Sequence, residues 1–357
     1  MADVNEIRVP KIAATIGQAT CGSEMLRELS QAGVRLFRYN LAAQLGLDEH
    51  GRRMKLFREV QAERGGDIEL MLDLPFPGAK FRIGMLPEPR HLIEKGTRLT
   101  FATGVETNSI ERVVPVDVAR LGERVEKDQV VTVGDGELAL RVREVIDHDS
   151  FVAEALTTHY LPCQKSLNVG SVDLSATDRN DALAAFVASV RPEYVAFSFV
   201  ENLQSARDAF ALLERHGLGK GDYKAIAKIE TLAGINALPK FIREFHSVMV
   251  ARGDLALNLD FAYLGEAQEH IIDSCRAFER ACIVSTQLCE SVATISVPNR
   301  SELVGMHHVA TRGVEYMLLA KETSTLAEPV RAVHTLQRVI DAVRNPMFAS
   351  SRARAEG

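Results

Sequence analysis

The chain contains no tryptophan, and aromatic residues make up only 6% of its 357 positions. Cysteine is sparse as well: Cys21, Cys163, Cys275, Cys282 and Cys289 are odd in number and never form a C-x-x-C pair. Neither a disulfide framework nor a zinc site is expected from them, and a reducing, cytoplasmic compartment fits best. No apolar run approaches the ~18 residues needed to cross a bilayer, and MADVNEIRVPK has no signal-peptide core, so no membrane role is expected. Basic residues are not in excess: 42 Lys and Arg against 48 Asp and Glu leave a net charge of −6. A nucleic-acid partner is therefore not expected, because nothing is available to neutralise its backbone. With 46% hydrophobic and 25% charged residues, the composition excludes a disordered chain, a collagen-like repeat or a coiled-coil rod.

What is present is a series of short apolar runs. They read KIAATIG (11–17), LFRYNL (36–41), IELMLDL (68–74), YVAFSFV (194–200), KAIAKIE (224–230), SVMVARGD (247–254), CIVSTQL (282–288) and YMLLAKE (316–322). Runs of this length, apolar on both faces, suit parallel strands buried on each side. Segments such as GSEMLRELSQAG and SARDAFALLERHG repeat apolar residues every three or four positions and read as helices. Eight such strand–helix units predict an α/β fold, a (β/α)8 TIM barrel.

Between the third and fourth runs the rhythm changes. RLTFATG, ERVVPVDV, QVVTV, ELALRVREV and SFVAEAL alternate with period two, as antiparallel strands do. GDG at 134–136 is a hairpin-turn signal and HDS at 148–150 another. Setting this block aside leaves close to the ~250 residues of a typical barrel. We expect the first part of the barrel over 1–74, an inserted antiparallel β lid domain, itself barrel-like, over 75–165, the second part of the barrel over 166–345, and a flexible tail over 346–357.

In such a barrel, chemistry sits at the C-terminal ends of the strands. Collecting polar residues there gives Arg38, Asn40, Asp73, Lys228, Glu230, Asp254, Thr286 and Glu322. Glu230 and Asp254 end adjacent strands; without neighbouring cations they would repel, and a divalent ion is a natural occupant. All-oxygen ligation suits Mg2+ or Mn2+. Lys228, two residues before Glu230, faces the same side and can neutralise a transferring phosphoryl group or an enolate oxygen. Gly253 in ARGDL lets backbone N–H groups face a carboxylate or phosphate. His307 and His308 lack a third ligand, and Cys275, Cys282 and Cys289 read as core.

At these residues the sequence resembles the pyruvate kinase family over roughly residues 9–345. The resemblance is carried by KIAATIG, LFRYN, Asp73 followed by KFRIG, VGDGELAL, QKSLN, VDLSATDRND, AKIE, MVARGDL, STQLCES and the strand ending in KET. It implies a barrel with an inserted lid and Mg2+- or Mn2+-dependent phosphoryl transfer between phosphoenolpyruvate and ADP, giving pyruvate and ATP, as in glycolysis. By resemblance, Glu230 and Asp254 hold the metal, and Lys228 stabilises the phosphoryl group and the enolate. Arg38 contacts the phosphate, with Asn40 and Asp73 beside it. Gly253 and Asp254 lie against the substrate, Arg82 stands at the lid hinge, and Thr286 is close to the enolate face that gains a proton. On the lid, Asp135 and Lys165 face the cleft on the nucleotide side. The chain is expected to comprise barrel and lid without the family's C-terminal regulatory domain; homo-oligomerisation is left open.

The departures from the family pattern lie mostly on the nucleotide side. Ala42-Ala43 stand where the family commonly reads Ser-His, Leu74 replaces Thr, and Gln18 stands where a proline packs near the base. Gln164-Lys165 replaces a lysine pair, Glu201 an arginine and Asn258 an acidic residue, and PFPGAK is longer than expected. These changes keep a second reading open, a metal-dependent enzyme of pyruvate enolate, lyase-like or transferring phosphoryl to an unusual acceptor. Lys80 stands two residues before Arg82, where K+-dependent members resemble one another in carrying Glu. Together with Ala42, which lacks a hydroxyl ligand, it implies that K+ is not required and that Lys80 substitutes for the monovalent cation.

Overall fold

The computed structural model describes residues 9–42, 45–78, 80–170 and 178–347. Ala43, Ala79, most of VDLSATD and the end of the expected tail lie outside the described residues.

Eight parallel strands close into a barrel in chain order. They are β1 (Lys11–Ile16), β2 (Val34–Asn40), β3 (Glu69–Pro77), β4 (Tyr194–Ser198), β5 (Lys224–Ile229), β6 (Ser247–Ala251), β7 (Ala281–Ser285) and β8 (Tyr316–Leu319). The helices that follow them are α1 (Ser23–Gln31), α2 (Leu47–Glu63), α3 (Asp178–Val190), α4 (Leu203–Arg215), α5 (Leu232–Phe241), α6 (Leu264–Ala277), α7 (Arg300–Thr311) and α8 (Pro329–Arg344). The strands are apolar on both faces because each face meets a different core. Leu36, Met71, Tyr194, Ala196, Ile226, Met249, Ile283 and Leu318 fill the interior. Their neighbours, such as Phe37, Leu70, Phe197 and Val250, pack outward against the helices. Phe197 meets Phe76, Phe210 and Phe245 at centroid separations of 6.4, 5.2 and 6.2 Å. Contacts of this kind add about 0.5–1.5 kcal/mol each beyond area burial and anchor the end of β4, from which Ser198 enters the site.

Helix entries are set locally. The Asn202 side chain accepts from the Ser205 amide to cap α4, and the Thr231 hydroxyl accepts from the Gly234 amide to cap α5, each worth about 1 kcal/mol.

Between β3 and α3 the chain forms a second, all-β unit. Its seven-stranded sheet runs in the order 81–82, 166–168, 130–133, 138–145, 150–155, 98–103, 114–116, beside a two-stranded pair of 159–162 with 90–93. An isolated bridge between Ile83 and Val116 brings the two ends of the larger sheet together. Gly134 and Gly136 carry left-handed φ of 72° and 98° at the GDG turn. One pair departs from the antiparallel expectation: 98–103 runs parallel to 114–116, because the intervening loop crosses back instead of turning as a hairpin. The crossings fall a few residues beyond 74 and 165. β3 continues to Pro77, and 166–168 pairs with 81–82.

Barrel strands also end sooner than the apolar runs. Arg252–Leu255 and Lys321–Ser324 are short helices, so Glu230, Asp254, Thr286 and Glu322 all sit just past strand ends. Among the described residues, no helix is long and apolar enough to cross a membrane.

Candidate active site

The ends of β2, β3 and β5 bring together side chains of alternating charge. Arg38 donates from Nε to Asp73 Oδ2 at 2.7 Å and from Nη1 to the Thr15 hydroxyl at 3.1 Å. Lys228 Nζ lies 3.2 Å from Asp73 Oδ1 and 3.0 Å from Glu230 Oε1, and donates to Ser198 Oγ at 2.9 Å. The order Arg38, Asp73, Lys228, Glu230 is therefore +, −, +, −. Asn40 and Asp73 are direct partners across β2 and β3, and the Asn40 side chain accepts from the Ala42 amide at 3.0 Å.

Three of these groups are buried: Asp73 is 1% exposed, Glu230 1% and Lys228 7%. Burial alone would neutralise them, and pairing decides the outcome. For Asp73, burial pushes the carboxyl pKa up, but Lys228 and Arg38 outweigh it and hold it below the ordinary value. Lys228 is pulled down by burial and raised more by Asp73 and Glu230, so it stays an ammonium. Glu230 goes the other way. Burial, with the charges of Asp254 and Asp73, outweighs Lys228 and pushes it up to about 7.

Glu230 is held from one side only. Its Oε2 accepts from the Phe199 amide at 2.7 Å, which points inward because Phe199 adopts a left-handed φ of 53°. Its Oε1 lies 3.0 Å from the Lys228 ammonium and, among the described residues, accepts no hydrogen bond of good alignment. A buried carboxylate oxygen with an ammonium on one side still has lone-pair sites free for a further ligand.

A cavity of 810 Å3 opens over this ladder, lined among others by Arg38, Asn40, Lys228, Glu230, Asp254 and Ser198. From the lid side Lys80, Arg82 and Lys165 reach the same cavity, and Arg82 Nη1 donates to the Gln164 carbonyl at 3.0 Å. The Lys80 ammonium pairs with Asp254. Lys228 attends Glu230 from the same strand, as expected from their spacing, and Lys80 attends Asp254 because the insertion brings it over the mouth. Among the described residues, no three His, Cys, Asp or Glu side chains gather as a metal cluster.

Other candidate residues stand further off. Thr286 does not line the cavity. It sits against Gly253, where a Cβ would come 2.9 Å from its Cγ2. Asp135 reaches across the cleft to Lys321 instead, Oδ2 to Nζ 2.5 Å. Lys321 lines a second cavity of 680 Å3 with Ile16, Gln18, Leu45 and Arg53, and this cavity shares Arg38 and Asn40 with the first. Glu322, gathered with the mouth residues on sequence grounds, is a structural carboxylate. It accepts from the amides of Leu288, Cys289 and Ala320 at 2.8, 3.2 and 2.8 Å. Glu201 accepts from the Thr231 hydroxyl at 2.7 Å, and Asn258 donates to the Asp254 carbonyl at 2.9 Å.

The barrel-domain model of pyruvate kinase matches residues 7–333, nearly the whole chain. The chain belongs to the pyruvate kinase family. A pyruvate kinase from Agrobacterium vitis is 32% identical over 340 residues, 94% of this chain and 68% of that one. One from Thermotoga maritima is 27% identical, with 93% and 70% covered. The crystal structure of a pyruvate kinase from Cryptosporidium parvum superposes with a TM-score of 0.84 over 98% of this chain and 72% of the other, at 24% identity, which speaks to the fold. Family membership of this kind supports a pyruvate kinase-like phosphotransferase function.

Several site residues were missed in the sequence. Ser198 is a lone hydroxyl at the end of an apolar run, and its position at a strand C-terminus was the available signal. The Phe199 amide had none, since it is a backbone group.

Proposed function

We propose that this chain transfers a phosphoryl group between phosphoenolpyruvate and ADP, giving pyruvate and ATP, with Mg2+ or Mn2+ held by Glu230 and Asp254. The observation that carries the reading is the buried Glu230 Oε1, which faces the Lys228 ammonium but accepts no hydrogen bond from the described residues, in a cavity that Asp254 also lines. Among the described residues the donors are two hard carboxylates with no thiol or imidazole beside them, which suits a small divalent ion that keeps positions for water and substrate oxygens. When bound, such an ion neutralises charge on the phosphoryl and enolate oxygens.

The chain's own residues do the rest. Arg38, fixed by Asp73 and Thr15, is oriented to clamp the phosphate. Lys228 holds a full positive charge where the bond between phosphorus and the enol oxygen breaks and the bond to the diphosphate oxygen forms. As pyruvate forms, the enolate carbon gains a proton, and by resemblance to the family Thr286, packed against Gly253 beside the metal residue Asp254, serves that face. Asn40, Asp73, Gly253 and Arg82 bound the phosphate and carboxylate side, and Asp135 and Lys165 bound the lid side. The adjoining 680 Å3 cavity with Arg53 and Lys321 on its wall favours an anionic phosphoryl acceptor over a reaction confined to pyruvate enolate.

A finer part of the proposal is that K+ is not required. Ala42 brings no hydroxyl oxygen, and the Asn40 carbonyl oxygen is engaged by the Ala42 amide. The Lys80 ammonium lines the same cavity and pairs there with Asp254; with that carboxylate taken by a divalent ion, the released ammonium stays in the cavity as a fixed positive charge in place of K+.

The test is a coupled assay with phosphoenolpyruvate, Mg2+ and a panel of nucleoside diphosphates in tetramethylammonium buffer. Turnover is expected without K+, and Lys80→Glu should create a K+ requirement. Activity that collapses without K+ and returns with it overturns the cation argument. Metal-dependent enolisation of pyruvate with no turnover of any diphosphate overturns the phosphoryl transfer.

A further inference from the structure

Arg252, the first residue of the short helix after β6, makes an unusual set of contacts. Among the described residues it has no carboxylate partner within ion-pair distance. Its Nε donates to the Ser285 carbonyl at 3.3 Å and the Thr286 carbonyl at 3.1 Å. Its Nη2 donates to the carbonyls of Thr286 and Gln287, the latter at 3.0 Å, and Nη1 reaches Gln268 Oε1 at 3.4 Å. Burial pulls its pKa down, with only the charge of Glu322 opposing. A cation in that position is held by carbonyl dipoles.

The three carbonyls belong to consecutive residues, and two of these are left-handed: Thr286 has φ 75° and Gln287 φ 53°. A β-branched residue rarely adopts that conformation unless its surroundings impose it. The turn aims successive carbonyl oxygens the same way, and the planar guanidinium fork gathers them as a single ammonium cannot. On the other side, Gly253 leaves no room for a side chain against the Thr286 methyl. The Thr286 side chain therefore stands between a backbone wall and a backbone clamp.

We infer that Arg252 is a positioning residue for this reaction: it imposes the left-handed turn at 285–287 and so aims the Thr286 hydroxyl at the carbon that gains or loses the proton. The inference rests on the reading of Thr286 as the group at the enolate face.

The test follows Mg2+-dependent exchange of pyruvate methyl protons in D2O by NMR, alongside turnover and KM. Arg252→Met is expected to slow exchange and kcat by about 30-fold or more, in line with the cost of misplacing a reacting group. The KM for phosphoenolpyruvate should stay within about 3-fold. Because Arg252 acts through Thr286, adding Arg252→Met to Thr286→Ala should cost nothing further. Should Arg252→Met fail to fold, Gln268→Leu, which removes one anchor of the guanidinium, gives the same cycle with a smaller loss.

Each outcome has one meaning. Losses that multiply in the double variant, or Arg252 and Gln268 variants with normal exchange beside a slow Thr286→Ala, overturn this inference alone. Normal exchange in Thr286→Ala overturns the role of Thr286 and the inference with it. Diphosphate turnover without exchange in the unaltered enzyme overturns the inference alone, and absence of both overturns the proposed function.

Discussion

Replacing Lys228 by Met removes the one ammonium among the described residues that touches both Asp73 and Glu230. A unit charge about 4 Å from a developing oxyanion is worth about 4 kcal/mol at the effective dielectric of partly buried sites, or nearly 10³ in rate. The two carboxylates already draw on part of that charge, so the expected fall in kcat is about 10²–10³. Binding of phosphoenolpyruvate should change far less, because Arg38 keeps its bonds to Asp73 and Thr15. Stability should fall too. Breaking a buried pair costs about 3–5 kcal/mol when the remaining charge has nowhere to go. Glu230 does have an outlet, since burial already pushes its pKa up to about 7 with Lys228 present. It takes up a proton, and the loss should be smaller at pH 6 than at pH 8.5. The assay is kcat and KM for phosphoenolpyruvate by coupled pyruvate detection, with thermal melts at both pH values. A kcat within about 10-fold of the unaltered enzyme, or equal losses in binding and turnover, would refute the reasoning and make Lys228 a ground-state clamp.

The remaining expectations concern the metal and a half-buried acid. Glu230→Gln and Asp254→Asn should each weaken Mn2+ binding, followed by electron paramagnetic resonance, by about 100-fold or more, with the melting temperature within about 4 °C; unchanged Mn2+ affinity would remove either residue from the metal site. For Glu201, burial raises the carboxyl pKa against the opposing Thr231 hydrogen bond. The folded state then holds a proton that the unfolded chain has released, so this group lowers stability as pH rises from the unfolded value near ~4.3 through the raised folded one. Glu201→Gln, which still accepts from Thr231, should be the more stable protein at pH 7.5 and equal to the unaltered one near pH 4. A pH-independent difference would show that burial is not the cause.

How far the site could be read from the chain varied with the residue. Lys228, Glu230 and Asp254 were legible because each is a charged residue closing an apolar run, and such a residue must reach a barrel mouth. Ser198 obeys the same rule but is too common a residue type to stand out. Glu322 also obeys it and misleads, since its carboxylate turns back onto the amides of Leu288, Cys289 and Ala320. Lys80 was visible as a departure from the family pattern, yet its pairing with Asp254 was not, because nothing local specifies how the insertion folds over the barrel.

The sequence by itself determined the architecture. Eight doubly apolar runs with amphipathic spacers have one economical closure, and the period-two block between the third and fourth can only be a separate sheet. Both follow from short-range periodicity, which reports the two faces of an element wherever that element lies. The tertiary structure alone decided which charges meet. Asp73 meets Lys228 over the intervening strand β4, the Phe199 amide reaches Glu230 through a left-handed backbone, and Arg252 finds its carbonyls on the neighbouring strand end. These partners are brought together by strand register and by loop dihedrals, and neither leaves a periodic trace in the chain.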